Sequence, residues 1–227
     1  GLSLVGSEMC IRDRAGGAIE VLGKTNIKRV SPEDFLRTHF GEPVYTQLDV
    51  EDYVKRDDGA SFDVPAFFKN PSGHSSNFMR YAAAADVYVA CHYWDNRSPF
   101  IFSRDDVKNP DWNISLVADV SCDIDGPVAT TLRPSTIANP FYGYDAQSEE
   151  EVDFYKEDCI GVMAVDNLPC ELPKDASVSF GEMFIEHILE PLLGNDPEDI
   201  IYRASETKDG KLTPHFAYLQ DYLEGKD

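Results

Sequence analysis

The sequence has no run of about 18 apolar residues, so its pattern holds no membrane-spanning helix. Positive charge is scarce: 20 Lys and Arg stand against 41 Asp and Glu, a formal net charge of −21. Such a balance repels a polyanion, so neither DNA nor RNA is expected as a partner, and the surface reads as acidic and solvated. The five cysteines, Cys10, Cys91, Cys122, Cys159 and Cys170, form no C-x-x-C pair. They read as buried thiols of a reducing compartment, here taken as cytoplasmic, and not as a zinc site or a disulfide framework. The five histidines show no H-E-x-x-H or comparable spacing, so no metal is expected. What is there, 227 residues, suffices for one good core or one and a half domains.

Residues 1–14, G-L-S-L-V-G-S-E-M-C-I-R-D-R, lack the basic start and unbroken apolar run of a signal peptide. They resemble translated sequencing-adapter read-through and are set aside as a non-native segment. The chain would then start in mid-domain without its first strand. Residues 15–23, A-G-G-A-I-E-V-L-G, read as a glycine turn entering a helix. Gly16 and Gly17 permit close backbone approach, Ala18, Ile19, Val21 and Leu22 give an apolar face, and Gly23 suits the end. In a dinucleotide fold such a turn seats the pyrophosphate on the helix N-terminus; a plain helix-start glycine pair fits equally well.

Residues 43–50 predict a strand ending near Asp49, an acid placed either to bind a ribose hydroxyl or to be solvated. Residues 52–76, polar and broken by Pro65, Pro71 and Gly73, predict an excursion from the sheet. After a short helix over 78–85, residues 86–93 predict a buried parallel strand. It would put His92, Tyr93 and Trp94 at a crevice rim, with His92 packed more readily than catalytic. Residues 114–122 form the clearest interior strand and run into D-I-D-G, which suits a ligand or an ordinary turn. Residues 130–144 are long for a connection, which favours function, and their one cation, Arg133, could clamp a substrate carboxylate. Residues 161–177 start as an apolar strand, stop at Asp166, and turn through Pro169 and Pro173 into a helix predicted over 178–193. Ligands of open α/β sheets sit at the carboxyl ends of strands, so Asp166 would face a cofactor crevice. A short strand over 200–204, a turn at Asp209-Gly210 and an amphipathic helix over 214–223 complete an α/β reading.

Taken in order, D-V-Y-V-A-C-H-Y-W-D, L-V-A-D-V-S-C-D-I-D-G, T-T-L-R-P-S-T-I and V-D-N-L-P-C-E-L-P-K-D-A-S resemble one family. It is the saccharopine dehydrogenase (NAD, lysine-forming) and lysine–ketoglutarate reductase group, related to alanine dehydrogenase. The resemblance runs from about residue 15 to the end, where T-K-D-G-K-L-T-P-H-F-A-Y-L-Q-D-Y is similar to the close of the reductase half of the bifunctional animal enzyme. It implies a Rossmann-like doubly wound parallel sheet, first strand missing, over 15–171, and the C-terminal segment of a second α/β domain over 172–227. That segment would return to a substrate domain whose N-terminal part is the missing partner. The implied reaction, on a CH–NH group, interconverts saccharopine with lysine and 2-oxoglutarate, using NAD or NADP. On the family's pattern Val165, Asp166, Asn167 and Leu168 match the cofactor-contacting strand end, and Val120 matches a backbone contact near the nicotinamide. Tyr93 lies where the fourth strand meets the cofactor, Asp49 is the ribose acid, and Gly16 and Gly17 match the phosphate turn in part. Arg133 is the substrate-side candidate. The family's catalytic Lys and His lie upstream, so this chain alone is expected to lack turnover. Two other readings stay open: an alanine-dehydrogenase-like enzyme on another amino acid, and a non-catalytic nucleotide-binding module.

Overall fold

The computed structural model describes residues 3–7 and 12–226. The chain divides into two compact units, Gly1–Leu168 and Pro169–Asp227. In the first, the elements run β1 (Ser3–Ser7), α1 (Arg12–Gly23), β2 (Lys28–Arg29), α2 (Pro32–Arg37), β3 (Val44–Leu48), α3 (Val50–Tyr53), β4 (Val54–Arg56) and α4 (Val64–Lys69). There follow β5 (His74–Ser76), α5 (Met79–Ala82), β6 (Val87–Ala90), α6 (Arg104–Val107), β7 (Leu116–Asp119), β8 (Phe141–Asp145), β9 (Glu150–Val152) and β10 (Ile160–Met163).

Among the described residues, eight strands form one mixed sheet in the order β2-β3-β1-β6-β7-β10-β8-β9. The pairs from β2 to β10 are parallel, and β8 and β9 add an antiparallel edge. From β1 the chain builds outward on one side to β2 and β3, then crosses to β6, β7 and β10 on the other. The strand order therefore reverses at β1. Strands β6, β7 and β10 form where the sequence predicts them, because V-Y-V-A, L-V-A-D and I-G-V-M are apolar and β-branched enough to be covered on both faces. Their fully buried members, Tyr88, Val117 and Val162, join Phe78, Tyr81, Phe102, Tyr142 and Tyr144 in one core. No helix among the described residues is long and apolar enough to cross a membrane.

Three expectations need correction here. The position of the missing first strand is filled: Ser3–Ser7 pairs in parallel with both β3 and β6. A ladder is made by backbone N–H and C=O groups, so any extended segment satisfies it and side-chain pattern gives little warning. The glycine turn is absent too, since Gly16 and Gly17 lie inside α1. An added Cβ at either would meet nothing within 4 Å, so neither marks a close approach. Finally, the excursion over 52–76 carries a small antiparallel sheet of its own, β4 with β5.

Glycine is required elsewhere. Gly143 and Gly161 face each other across β8 and β10. A Cβ on Gly143 would stand 2.7 Å from the Asp153 carbonyl oxygen, and one on Gly161 would stand 2.7 Å from the Phe154 ring. The segment after β9 thus lies directly on this glycine pair. Gly143→Ala is expected to lose roughly 1–3 kcal/mol of stability through overpacking against backbone. Urea unfolding checks this, and an unchanged midpoint would refute the packing argument.

The second unit holds α7 (Pro173–His187), α8 (Leu189–Leu193), α9 (Ile200–Ala204), the hairpin β11 (Thr207–Lys208) and β12 (Lys211–Leu212), a 3-10 turn at Pro214–Leu219 and α10 (Gln220–Leu223). The helix predicted over 178–193 is present as α7 and α8. The strand predicted over 200–204 is helix α9 instead. The Asp196 carboxylate accepts the backbone N–H groups of Ile200 and Ile201 at 2.7 and 2.8 Å, and this first-turn capping overrides the strand preference of two isoleucines. Among the described residues of this unit only Thr213 is buried, while Phe180, Met183, Ile185 and Leu193 stand exposed.

Candidate functional site

The sheet register brings the strand ends level. Leu48 lies opposite Ser7, Ser7 opposite Ala90, and Ala90 opposite Asp119. The residues just past them therefore emerge on one edge: Asp49 after β3, Cys91 to Tyr93 after β6, Val120 after β7, and Val165 and Asp166 after β10. Strand order reverses at β1 on this edge, and crevices of open α/β sheets form at such points.

Asp49 is exposed and begins α3 as its N-cap. Its backbone N–H donates to Asp52 Oδ2 at 2.9 Å, as in a capping box. Tyr93 is exposed, whereas His92 is buried with Nδ1 3.4 Å from Ser121 Oγ, as the packed reading of that histidine expects. His92, Tyr93 and Trp94 join Val50, Tyr53 and Ile101 around a small cavity of about 20 Å³. Val120 donates its N–H to the Ala90 carbonyl at 2.9 Å, which locks the end of β7 to the end of β6. Val165 is buried and bridges Ser135, while Asp166 and Asn167 are exposed and Leu168 is half-buried.

Three sequence-predicted residues stand apart from this edge. Gly16 and Gly17 are helical, and the β1–α1 connection at residues 8–11 lies outside the described residues; its sequence, E-M-C-I, has no glycine. Arg133 is not a free clamp. Its Nε and Nη2 donate to the two carboxylate oxygens of Glu151 on β9, both at 2.6 Å, and its guanidinium lies 4.8 Å from the centre of the Tyr142 ring. The bidentate Glu151 carboxylate takes the fork that a substrate carboxylate would need. That bond holds the Glu151 carboxyl below its ordinary pKa.

Sequence reasoning missed Asp119, which ties the turn after β7 to the loop that begins at residue 130. Asp119, at the last position of β7, is fully buried. Its Oδ1 accepts the backbone N–H groups of Ser121 and Cys122 at 3.0 and 2.9 Å, and its Oδ2 accepts Thr131 Oγ1 at 2.6 Å. Cys122 sits in the left-handed region at φ 54°, held there by that N–H and by its thiol, which donates to the Ala164 carbonyl at 3.1 Å. Burial pushes the Cys122 thiol up to about 11, so it stays protonated at neutral pH and is no nucleophile. Asp123 to Gly126 turn so tightly that a Cβ on Gly126 would meet the Asp123 carbonyl at 2.7 Å. The long loop over 130–144 is equally fixed: Tyr142 Oη donates to the Thr130 carbonyl and accepts from the Leu132 N–H, both at 3.0 Å. The only signal for this network in the sequence is a run of hydroxyls, Thr130, Thr131 and Ser135, following an acid at a strand end.

Exposed strand ends and an acid just past β3, the strand beside β1, fit a dinucleotide at its ribose and nicotinamide ends. Residues 8–11, which lie outside the described residues, contain in their sequence no glycine of the kind that usually seats a pyrophosphate. Among the described residues, no group of three or more His, Cys, Asp or Glu could hold a metal ion.

No family model matches the chain. The chain is 27% identical over 232 residues to mitochondrial alpha-aminoadipic semialdehyde synthase of Rattus norvegicus, covering 88% of the chain and 24% of the relative. It is 27% identical over 171 residues to alpha-aminoadipic semialdehyde synthase of Arabidopsis thaliana, covering 72% of the chain and 16% of the relative. It is 28% identical over 105 residues to saccharopine dehydrogenase [NAD(+), L-lysine-forming] of Schizosaccharomyces pombe, covering 46% of the chain and 27% of the relative. The chain thus spans about a quarter or less of these curated relatives. Over most of its length it is similar to alpha-aminoadipic semialdehyde synthases, and over nearly half of it to saccharopine dehydrogenases.

Proposed function

We propose that the chain carries the dinucleotide-binding part of an NAD-dependent oxidoreductase acting on the CH–NH group of saccharopine, interconverting it with lysine and 2-oxoglutarate. The observation that carries this reading is the level carboxyl edge at the reversal point of the sheet, with exposed Asp49 past the second strand of the nucleotide fold. The names of the relatives support the substrate class and NAD. Asp49 would hold the ribose hydroxyls, and its charge disfavours the 2′-phosphate of NADP. Tyr93, Val120, Val165, Asp166, Asn167 and Leu168 would line the rest. When bound, NAD supplies the hydride acceptor; the chain's own groups orient it and exclude water. Residues 172–227 belong, on this reading, to the substrate domain, and the exposed Phe180, Met183, Ile185 and Leu193 support packing against the remainder of that domain.

Nicotinamide fluorescence tests the reading directly. NADH is expected to bind at least about tenfold more tightly than NADPH, and Asp49→Ser to weaken NADH by about tenfold, the worth of one charge-assisted hydrogen bond. Asp166→Ala should also weaken NADH. Equal binding of both nucleotides, or full affinity in both variants, would sink the assignment. The placement of Gly16 and Gly17 inside α1 favours a second reading, a nucleotide-binding module without turnover; NADH binding by the full-length protein with no saccharopine-dependent reduction of NAD would select it.

A further inference from the structure

Asp119 sits one residue before the predicted nicotinamide contact Val120, and it is tied to both segments that flank the end of β10. Through Cys122 it holds the turn that donates a thiol hydrogen bond to the Ala164 carbonyl. Through Thr131 it holds the loop whose Ser135 makes the other contacts of Ala164. Ser135 N–H donates to the Ala164 carbonyl at 2.8 Å, and Ser135 Oγ accepts the Ala164 N–H at 3.1 Å while donating to the Pro140 carbonyl at 2.8 Å. Both arms therefore converge on one peptide, the last before Val165-Asp166-Asn167-Leu168. From β10 itself the exit receives one weak contact, the Met163 Sδ accepting the Val165 N–H at 3.4 Å, and the strand ends at Met163.

We propose that Asp119 is the positioning residue of this crevice: its buried carboxylate fixes the 121–126 turn and the 130–135 loop, and these clamp Ala164 so that residues 165–168 leave the sheet in one orientation. The inference rests on the dinucleotide reading for its functional consequence, but not for the coupling itself. Each contact is local, and the coupled elements are 12 and 42 residues apart in sequence. A carboxylate suits the task because its two oxygens take three donors at once, and a buried, satisfied network holds a single arrangement.

The test combines amide hydrogen exchange with NADH titration on the 227-residue chain. Thr131→Val removes one hydroxyl at constant volume, Asp119→Ala removes all three bonds, and Asp119→Asn keeps the shape and the acceptor oxygen for both N–H groups. Exchange at the Ala164 and Cys122 amides is expected to rise about tenfold or more in Thr131→Val and Asp119→Ala, with β3 amides unchanged, and NADH affinity to fall about tenfold. Asp119→Asn is expected to restore both to within about twofold of wild type. If Asp119→Ala does not fold, Thr131→Val and Ser135→Ala carry the same comparison. Unchanged Ala164 exchange in the variants overturns the proposal, as does full NADH affinity in variants with a loosened Ala164. If the wild-type chain binds no NADH, the dinucleotide reading falls, and Ala164 exchange alone decides whether Asp119 sets the exit of β10.

Discussion

Asp119→Ala is expected to lower the unfolding free energy by about 3–5 kcal/mol, whereas Asp119→Asn leaves it unchanged or raises it. The alanine variant orphans three donors, the half-buried N–H groups of Ser121 and Cys122 and the buried hydroxyl of Thr131. Relaxation of Cys122 from its left-handed backbone, which costs an ordinary residue about 1 kcal/mol or more, offsets part of this loss. Asparagine offers an acceptor oxygen to both N–H groups and an NH₂ to Thr131, without a charge to desolvate. Burial raises the Asp119 carboxyl above its ordinary value of 3.8, and the hydrogen bonds from Thr131 and Cys122 oppose this; the nearby Asp123 charge adds to the rise. The folded state therefore holds this proton more tightly than the unfolded chain does. Its contribution to stability is fully present below the unfolded pKa and is lost as pH rises through the folded one. The advantage of Asp119→Asn over wild type should accordingly widen as pH rises above 3.8 and then level off. Urea unfolding of the three proteins across pH measures it. A constant difference between Asn and wild type would show that the carboxylate is not desolvated as its burial implies.

Phe78→Ala is expected to cost about 3–5 kcal/mol, the range for a buried aromatic truncated to leave a cavity. Phe78 has no exposed surface, and its ring centre lies 4.8 Å from that of Tyr88 on β6 and 5.8 Å from that of Phe102. Tyr81 completes the group at 6.5 Å. The ring thus fastens the segment that follows the small β4–β5 sheet to the centre of the main sheet. Phe78→Leu should lose about 1.5 kcal/mol or less, because most of the volume remains. A loss under about 1 kcal/mol for the alanine variant would mean that the site collapses around the gap and that Phe78 is no keystone of the core.

Local patterning carried far in this chain. The apolar runs at β6, β7 and β10, the helical spacing of α7 and α8, and the Asp209-Gly210 turn are all short-range features, readable because burial on both faces or on one stripe fixes which residue types a segment tolerates. The same logic put Asp49 and Asp166 at strand ends, which the register then brings to one edge, whereas Val120 entered only through the family resemblance and lay inside the strand predicted over 114–122. It could not decide what depends on partners distant in sequence. Ser3–Ser7 is a strand because two neighbours present unpaired backbone to it, and its own side chains say nothing of that. Arg133 looks free until β9 brings Glu151 beneath its fork, 18 residues on. Ile200 and Ile201 read as strand until the Asp196 carboxylate caps them into α9. Asp119 reads as one more acid before D-I-D-G, and only the folded chain gathers Cys122, Thr131 and, through them, Ala164 around it. The sequence by itself determined which segments are apolar enough to be sheet or helix and which residues end them. The tertiary structure alone decided which polar groups meet, because hydrogen-bond partners are selected by position in space and leave no period in the chain.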